Sequence, residues 1–136
     1  MIRVIFFTNN LRHTVAAGDN FSLAVDKDGN VWSWGRNDTG VGQLGRKLSS
    51  GTSVYSPRKV YDVAPTPSNG SMGSTYLGGE NTGKVVKVFA SGSTAAAITE
   101  EGTVYVWGSN RYGQLGIGHD AITESSASSN KNIPVS

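Results

Sequence analysis

The chain has 136 residues, of which 37% are hydrophobic, 16% charged, 18 glycine and 4 proline. That suits one ordinary domain of short strands and tight turns, and excludes both a charge-driven disordered tail and a collagen-like fibre. Twelve basic and ten acidic residues leave a net charge of +2 with no long like-charge run; direct nucleic-acid binding is therefore not expected, and with no cysteine, disulfides, thiolate nucleophiles and zinc ribbons are excluded.

In chain order, the first apolar run, Val4 to Phe7, is ended at once by Thr8, Asn9 and Asn10. It is shorter than a signal-peptide core and far short of the ~20 residues of a membrane helix. No membrane contact is expected, and an intracellular setting, cytoplasm or nucleus, is favoured. Phe21, Leu23 and Val25 then alternate with Ser22 and Ala24, the period of a half-buried strand. Asp28-Gly29 is a tight-turn dipeptide, and Val31 to Trp34 completes a hairpin. Gly35, after the tryptophan, is expected to bend the strand or admit a neighbouring backbone closely.

Residues 64–83 hold Pro65, Pro67, Asn69-Gly70, Gly73 and Gly78-Gly79, a loop composition. Beyond them the pattern starts again. Ala95 to Thr99, Glu101-Gly102 and Val104 to Trp107 form a second hairpin, and the polar stretch Ser125 to Asn132 is expected to be poorly ordered. The two halves are copies. Gly18 matches Gly92, Gly29 matches Gly102, Trp34-Gly35 matches Trp107-Gly108, and Asn37 matches Asn110. Gly42-Gln43-Leu44-Gly45 likewise matches Gly113-Gln114-Leu115-Gly116, all at offsets between 71 and 74 residues. The expected organisation is a first repeat over 1–63, an insert loop over 64–83, and a second repeat with a polar tail over 84–136.

Gly40 to Gly45 also fits the dinucleotide fingerprint G-x-G-x-x-G, but Arg46 to Ser53 is no helix start and the second copy lacks the first glycine. It reads as a turn. His13 and His119 are too few for a transition-metal site and have no nucleophile elbow to serve. Asp26 and Asp28 flank a hairpin turn, where carboxylates are ordinary. No catalytic, cofactor-binding or metal-ligating residue is assigned. Trp34 and Trp107, repeated at one place in a structural unit, are expected to pack the core, with Trp32 half wet. Arg36, Asp38, Arg111 and Tyr112, in the loops after each tryptophan block, are the candidate partner contacts, since loops carry function and Arg and Tyr are favoured at interfaces.

The order Val-Ala-x-Gly, Asp-Gly-x-Val-Trp-x-Trp-Gly-x-Asn, Gly-Gln-Leu-Gly and then proline before valine resembles the regulator-of-chromosome-condensation repeat. Phe21-Ser22 and Ala95-Ala96 stand where that family commonly has His-Thr or His-Ser. The resemblance implies an all-β fold of two four-stranded antiparallel propeller blades. Seven blades usually close such a ring, and two cannot. The chain is thus expected to be a piece of a longer propeller, to complete a ring by self-association, or to dock on a larger assembly. The implied function is a non-enzymatic module that binds another protein, with no cofactor. The alternative, implied by the family's namesake, is guanine-nucleotide exchange on a small Ran-like GTPase with chromatin association.

Overall fold

The computed structural model describes residues 14–38, 41–46, 53–61, 76–79, 82–118 and 131–136. Strands β1 (Val15–Ala17), β2 (Phe21–Val25), β3 (Val31–Gly35) and β4 (Val54–Lys59) form one antiparallel sheet in sequence order. Strands β5 (Val85–Ser91), β6 (Thr94–Thr99), β7 (Val104–Gly108) and β8 (Lys131–Val135) form a second sheet of the same order. Each is an antiparallel meander, the blade expected from the repeat, and the central hairpins fall where alternation and the Asp-Gly and Glu-Gly turns place them.

Local chemistry fixes these hairpins. In the first, Asp26 Oδ1 accepts from the backbone N–H groups of Asp28 and Asn30, both at 3.0 Å, and Oδ2 accepts from Trp32 Nε1 at 2.8 Å. Burial pushes the Asp26 carboxyl up, but the hydrogen bonds from Trp32, Asn30 and Asp28 outweigh it and hold the group below the ordinary aspartate value. Thr99 holds the matching position in the second hairpin, its hydroxyl accepting from the Thr103 N–H at 3.1 Å. Asp26 is therefore a turn clamp rather than an idle surface carboxylate. Gly35 and Gly108 sit at register shifts in β3 and β7. A Cβ on either would lie 2.5 Å from the Asn20 carbonyl oxygen or 2.2 Å from that of Ser93, and both have positive φ, so the close approach read from the sequence is real. Pro57 and Pro134 lie on the outer strands β4 and β8, where a missing N–H costs no ladder bond on the open side.

The reading of the C-terminal stretch needs correction. Lys131 and Asn132, read as part of a poorly ordered tail, belong to β8, whose Lys131 and Val135 pair with Gly108 and Val106. Polar composition does not register a main-chain ladder offered by a neighbouring strand. Residues 125–130 lie outside the described residues. Within the 64–83 segment one described residue reaches the core. Leu77 is fully buried, donates its N–H to the Val60 carbonyl at 3.0 Å, and accepts from the Val31 N–H at 3.2 Å.

The core lies between the blades. Phe21, Leu23 and Val31 on one face of the first sheet meet Ala95, Ala97 and Trp107 on one face of the second. Small alanines on β6 make room for the Trp107 ring, which is 0% exposed and donates its indole N–H to the Gln43 carbonyl at 3.0 Å. Burying roughly 200 Å² of a tryptophan at ~25 cal/mol/Å² contributes about 5 kcal/mol before entropic costs. Trp34 differs from the expectation. It occupies the same place in its own blade, opposite Ser22 as Trp107 is opposite Ala95, yet it is only half-buried. Its sheet face points away from the second blade, so among the described residues nothing covers it as the first blade covers Trp107.

Candidate partner-binding surface

After each tryptophan-glycine pair the chain turns back, and the repeated Asn and Gln fix that turn from below. Asn37 Oδ1 accepts from the Leu44 N–H at 3.4 Å, and Asn110 Oδ1 from the Leu115 N–H at 2.9 Å. Gln43 accepts from the Asp38 N–H at 3.0 Å and donates to the Asp38 carboxylate at 2.8 Å. Gln114 accepts from the Tyr112 N–H at 2.9 Å. Each Gly-Gln-Leu-Gly block closes as a turn, with Gly45 N–H donating to the Gly42 carbonyl at 2.9 Å and Gly116 N–H to that of Gly113 at 3.0 Å. The fingerprint-like glycines are thus a repeated turn element, as their second copy implied.

These loops present the candidate contacts in two pairs. Arg36 forms an ion pair with Asp38, its own side chain 62% exposed. Such a pair, exposed on the Arg36 side, contributes at most about 1 kcal/mol to stability. Arg111 lies over the Tyr112 ring at 5.5 Å, and Tyr112 is 72% exposed. Among the described residues no hydrogen bond or ion pair joins the two pairs. His13 and His119 lie outside the described residues, which include no group of three metal-ligating side chains. Among the described residues no helix is long and apolar enough to cross a membrane.

A second feature escaped the sequence reading. Trp32, Arg46, Arg58, Lys59, Tyr61 and Tyr76 line a cavity of about 390 Å³. Tyr61 and Tyr76 stack at 5.5 Å, and Lys59 Nζ lies 5.8 Å from the Trp32 ring centre and 5.5 Å from that of Tyr76. Arg46 is 5% exposed, and its Nε and Nη2 find no hydrogen-bond partner. Burial, then the nearby Arg58 charge, push its guanidinium below the ordinary arginine value, while Tyr61 works the other way. This is a basic, aromatic-walled recess with no acidic residue among the described residues of its lining. The adjacent Arg58 and Lys59 with Tyr61 two residues on were a signal for part of it. Tyr76 arrives from across the insert, and no spacing rule foretells that.

Comparison with known proteins places these features. The sequence matches the Regulator of chromosome condensation (RCC1) repeat over residues 13–43 and 85–114, and again over 101–136. It is 36% identical over 102 residues to the secretion-regulating guanine nucleotide exchange factor of Bos taurus, covering 75% of this chain and 19% of that protein. It is also 36% identical over 105 residues to the ultraviolet-B receptor UVR8 of Arabidopsis thaliana, covering 76% of this chain and 19% of the receptor. Among solved structures, the yeast RCC1 protein Prp20 bound to Kap60 superposes with a TM-score of 0.55 at 27% identity, covering 89% of this chain and 24% of that one. Human WBSCR16 superposes with a TM-score of 0.57 at 25% identity, covering 98% and 27%. The chain therefore spans about a fifth of the length of these curated relatives. Two four-stranded blades, the repeated tryptophan-glycine turns and the matched repeat agree: this chain belongs to the RCC1-repeat family of β-propeller proteins.

Proposed function

We propose that this chain is a non-enzymatic protein-binding module, whose blades hold Arg36, Asp38, Arg111 and Tyr112 at the surface for another protein. The observation that supports this reading most is the rigid underpinning of exposed loops. Asn37, Gln43, Asn110 and Gln114 tie the loop backbone down, while the Arg36 and Tyr112 side chains stay open to solvent. Loops already ordered lose little entropy on binding. The test is quantitative capture of a partner by immobilised parent chain and by a variant with Arg36, Arg111 and Tyr112 changed to alanine, Asp38 being kept because its carboxylate accepts from the buried Gln43 side chain. The variant should retain the parental melting curve and lose the partner. Equal capture by both would remove these residues from the interface.

The second reading is a part in guanine-nucleotide exchange on a small GTPase, favoured by the likeness to the bovine exchange factor. Exchange on a small Ran-like GTPase would demand several loops acting together, and two blades supply few. The chain alone should accelerate GDP release less than tenfold, which corresponds to about 1.4 kcal/mol of barrier. A larger acceleration would promote this reading above the first.

A further inference from the structure

The walls of the recess around Arg46 are fixed by main-chain bonds. Register in the β3–β4 pair sets Lys59 opposite Trp32, and an antiparallel bridge sets Tyr76 opposite Tyr61. The Tyr61 N–H donates to the Gly45 carbonyl at 3.1 Å, and the Leu77 N–H to that of Val60 at 3.0 Å. On these anchored backbones the Tyr61 and Tyr76 rings stack with their planes 17° from parallel. Arg46 itself follows Gly45, at the turn where an added Cβ would meet Val60 and Trp107, so it sits where the chain packs on itself.

Its charge is left unanswered within the described residues. An arginine keeps its proton in a folded protein, and a buried charge without a counter-charge is destabilising. The two unpartnered atoms, Nε and Nη2, form the side-on fork of the guanidinium, whose parallel N–H bonds match two oxygens of one anion. Lys59 Nζ lies within cation–π range of both Trp32 and Tyr76, so ring faces rather than a carboxylate hold it in place. Arg58, exposed on β4, supplies a third positive charge to the lining. Asp26 reaches Trp32 Nε1, but its oxygens are also engaged by the Asn30 side chain, and it does not line the cavity.

We propose that this recess binds a small phosphate monoester carried on a flat ring, with Arg46, Arg58 and Lys59 facing the phosphate and the aromatic walls facing the ring. A phosphate monoester brings about two negative charges at pH 7 and three acceptor oxygens. A carboxylate brings one charge and would leave more of the basic lining unanswered. The volume, about 390 Å³, falls in the range of roughly 300–1,000 Å³ that small-molecule sites occupy. Neither Nε nor Nη2 of Arg46 is used inside the chain, so turning the side chain toward the ligand breaks no internal hydrogen bond at those atoms. The recess shares no residue with Arg36, Asp38, Arg111 or Tyr112, so it stands independently of the protein-binding reading.

The test is titration calorimetry of the full chain with phenyl phosphate, inorganic phosphate and benzoate. Phenyl phosphate should bind saturably, one per chain, and more tightly than either of the others. Arg46→Gln should weaken it by about 10- to 100-fold, the range expected for losing hydrogen bonds to a charged group. The same variant, without ligand, should melt no lower than the parent, because it removes an unpaired buried charge; a purely structural arginine would give a lower melting temperature instead. Should Arg46→Gln disturb folding on circular dichroism, Arg58→Ser with Lys59→Ser replaces it on the accessible side of the recess and should also weaken binding. The variant altered at Arg36, Arg111 and Tyr112 should bind phenyl phosphate as the parent does, so failure here and failure of the loop interface are separately visible. No saturable binding by the parent, equal binding by parent and recess variants, or benzoate binding as tightly as phenyl phosphate would each overturn the proposal. Inorganic phosphate binding as tightly as phenyl phosphate would overturn the part assigned to the ring.

Discussion

The two blades use one repeated motif in two different environments. Trp107 lies sealed between sheets with its indole N–H bonded to the Gln43 carbonyl, whereas Trp34, at the matching place, is half-buried on the face turned away from the second blade. Val31 and Val104 form the mirror pair: here the first-blade residue is sealed and the second-blade residue is 49% exposed. The difference is not one of residue type or local geometry, since strand register around each pair is the same. It teaches that a blade has a receiving face and a donating face. Among the described residues, the donating face of the first blade and the receiving face of the second are packed on each other.

That comparison can be broken most directly at the tryptophans. Trp107→Ala should cost about 3–5 kcal/mol, comparable to the whole stability of a small domain. Trp34→Ala should cost less than about 1.5 kcal/mol, because it deletes surface already partly wet. Urea denaturation followed by circular dichroism checks both; equal losses would refute the distinction between faces. The turn glycines come next. Gly45→Ala combines a left-handed backbone penalty of about 1–2 kcal/mol with overpacking against Trp107 and Val60 of about 1–3 kcal/mol. Gly116→Ala should show only the backbone part, in the same denaturation experiment.

Val31→Ala should cost about 2 kcal/mol through lost burial and the cavity left behind, while Val104→Ala should stay within about 0.5 kcal/mol. The smallest effect concerns pH and separates the hairpins. The folded-state pKa of Asp26 is depressed, so its clamp is fully present above the unfolded-state value of about 4 and is lost as pH falls through the lower folded value. Thr99 performs the matching role without titrating. Amide hydrogen exchange at Asn30 should therefore speed up relative to Thr103 as pH is lowered below about 4, after correction for intrinsic rates. Asp26→Asn should abolish that differential.

Much of the fold was legible because its signals are local. Alternation at Phe21, Leu23 and Val25, the Asp28-Gly29 turn and the matched Trp-Gly blocks fix hairpins by short-range sterics and hydrogen bonding, and the same blocks disclosed the repeat. The loop positions of Arg36, Asp38, Arg111 and Tyr112 followed from that register. What stayed hidden depends on chain segments far apart in sequence. Leu77 looked like loop because its neighbours are glycine and tyrosine, yet it fills a gap between Val31 and Val60. The recess around Arg46 needs Tyr76 brought across the insert to stack on Tyr61. Lys131 and Asn132 became strand because β7 offered unpaired main-chain groups.

The sequence by itself determined two copies of one all-β unit, their turns and the identity of the residues that pack a blade, since periodicity, glycine conformation and side-chain volume are carried by neighbouring residues. Only the tertiary structure decided which copy of each packing residue is sealed and which is open. Burial is conferred by whatever surface lies opposite, and for Trp34 and Trp107 that surface differs even though the motif does not.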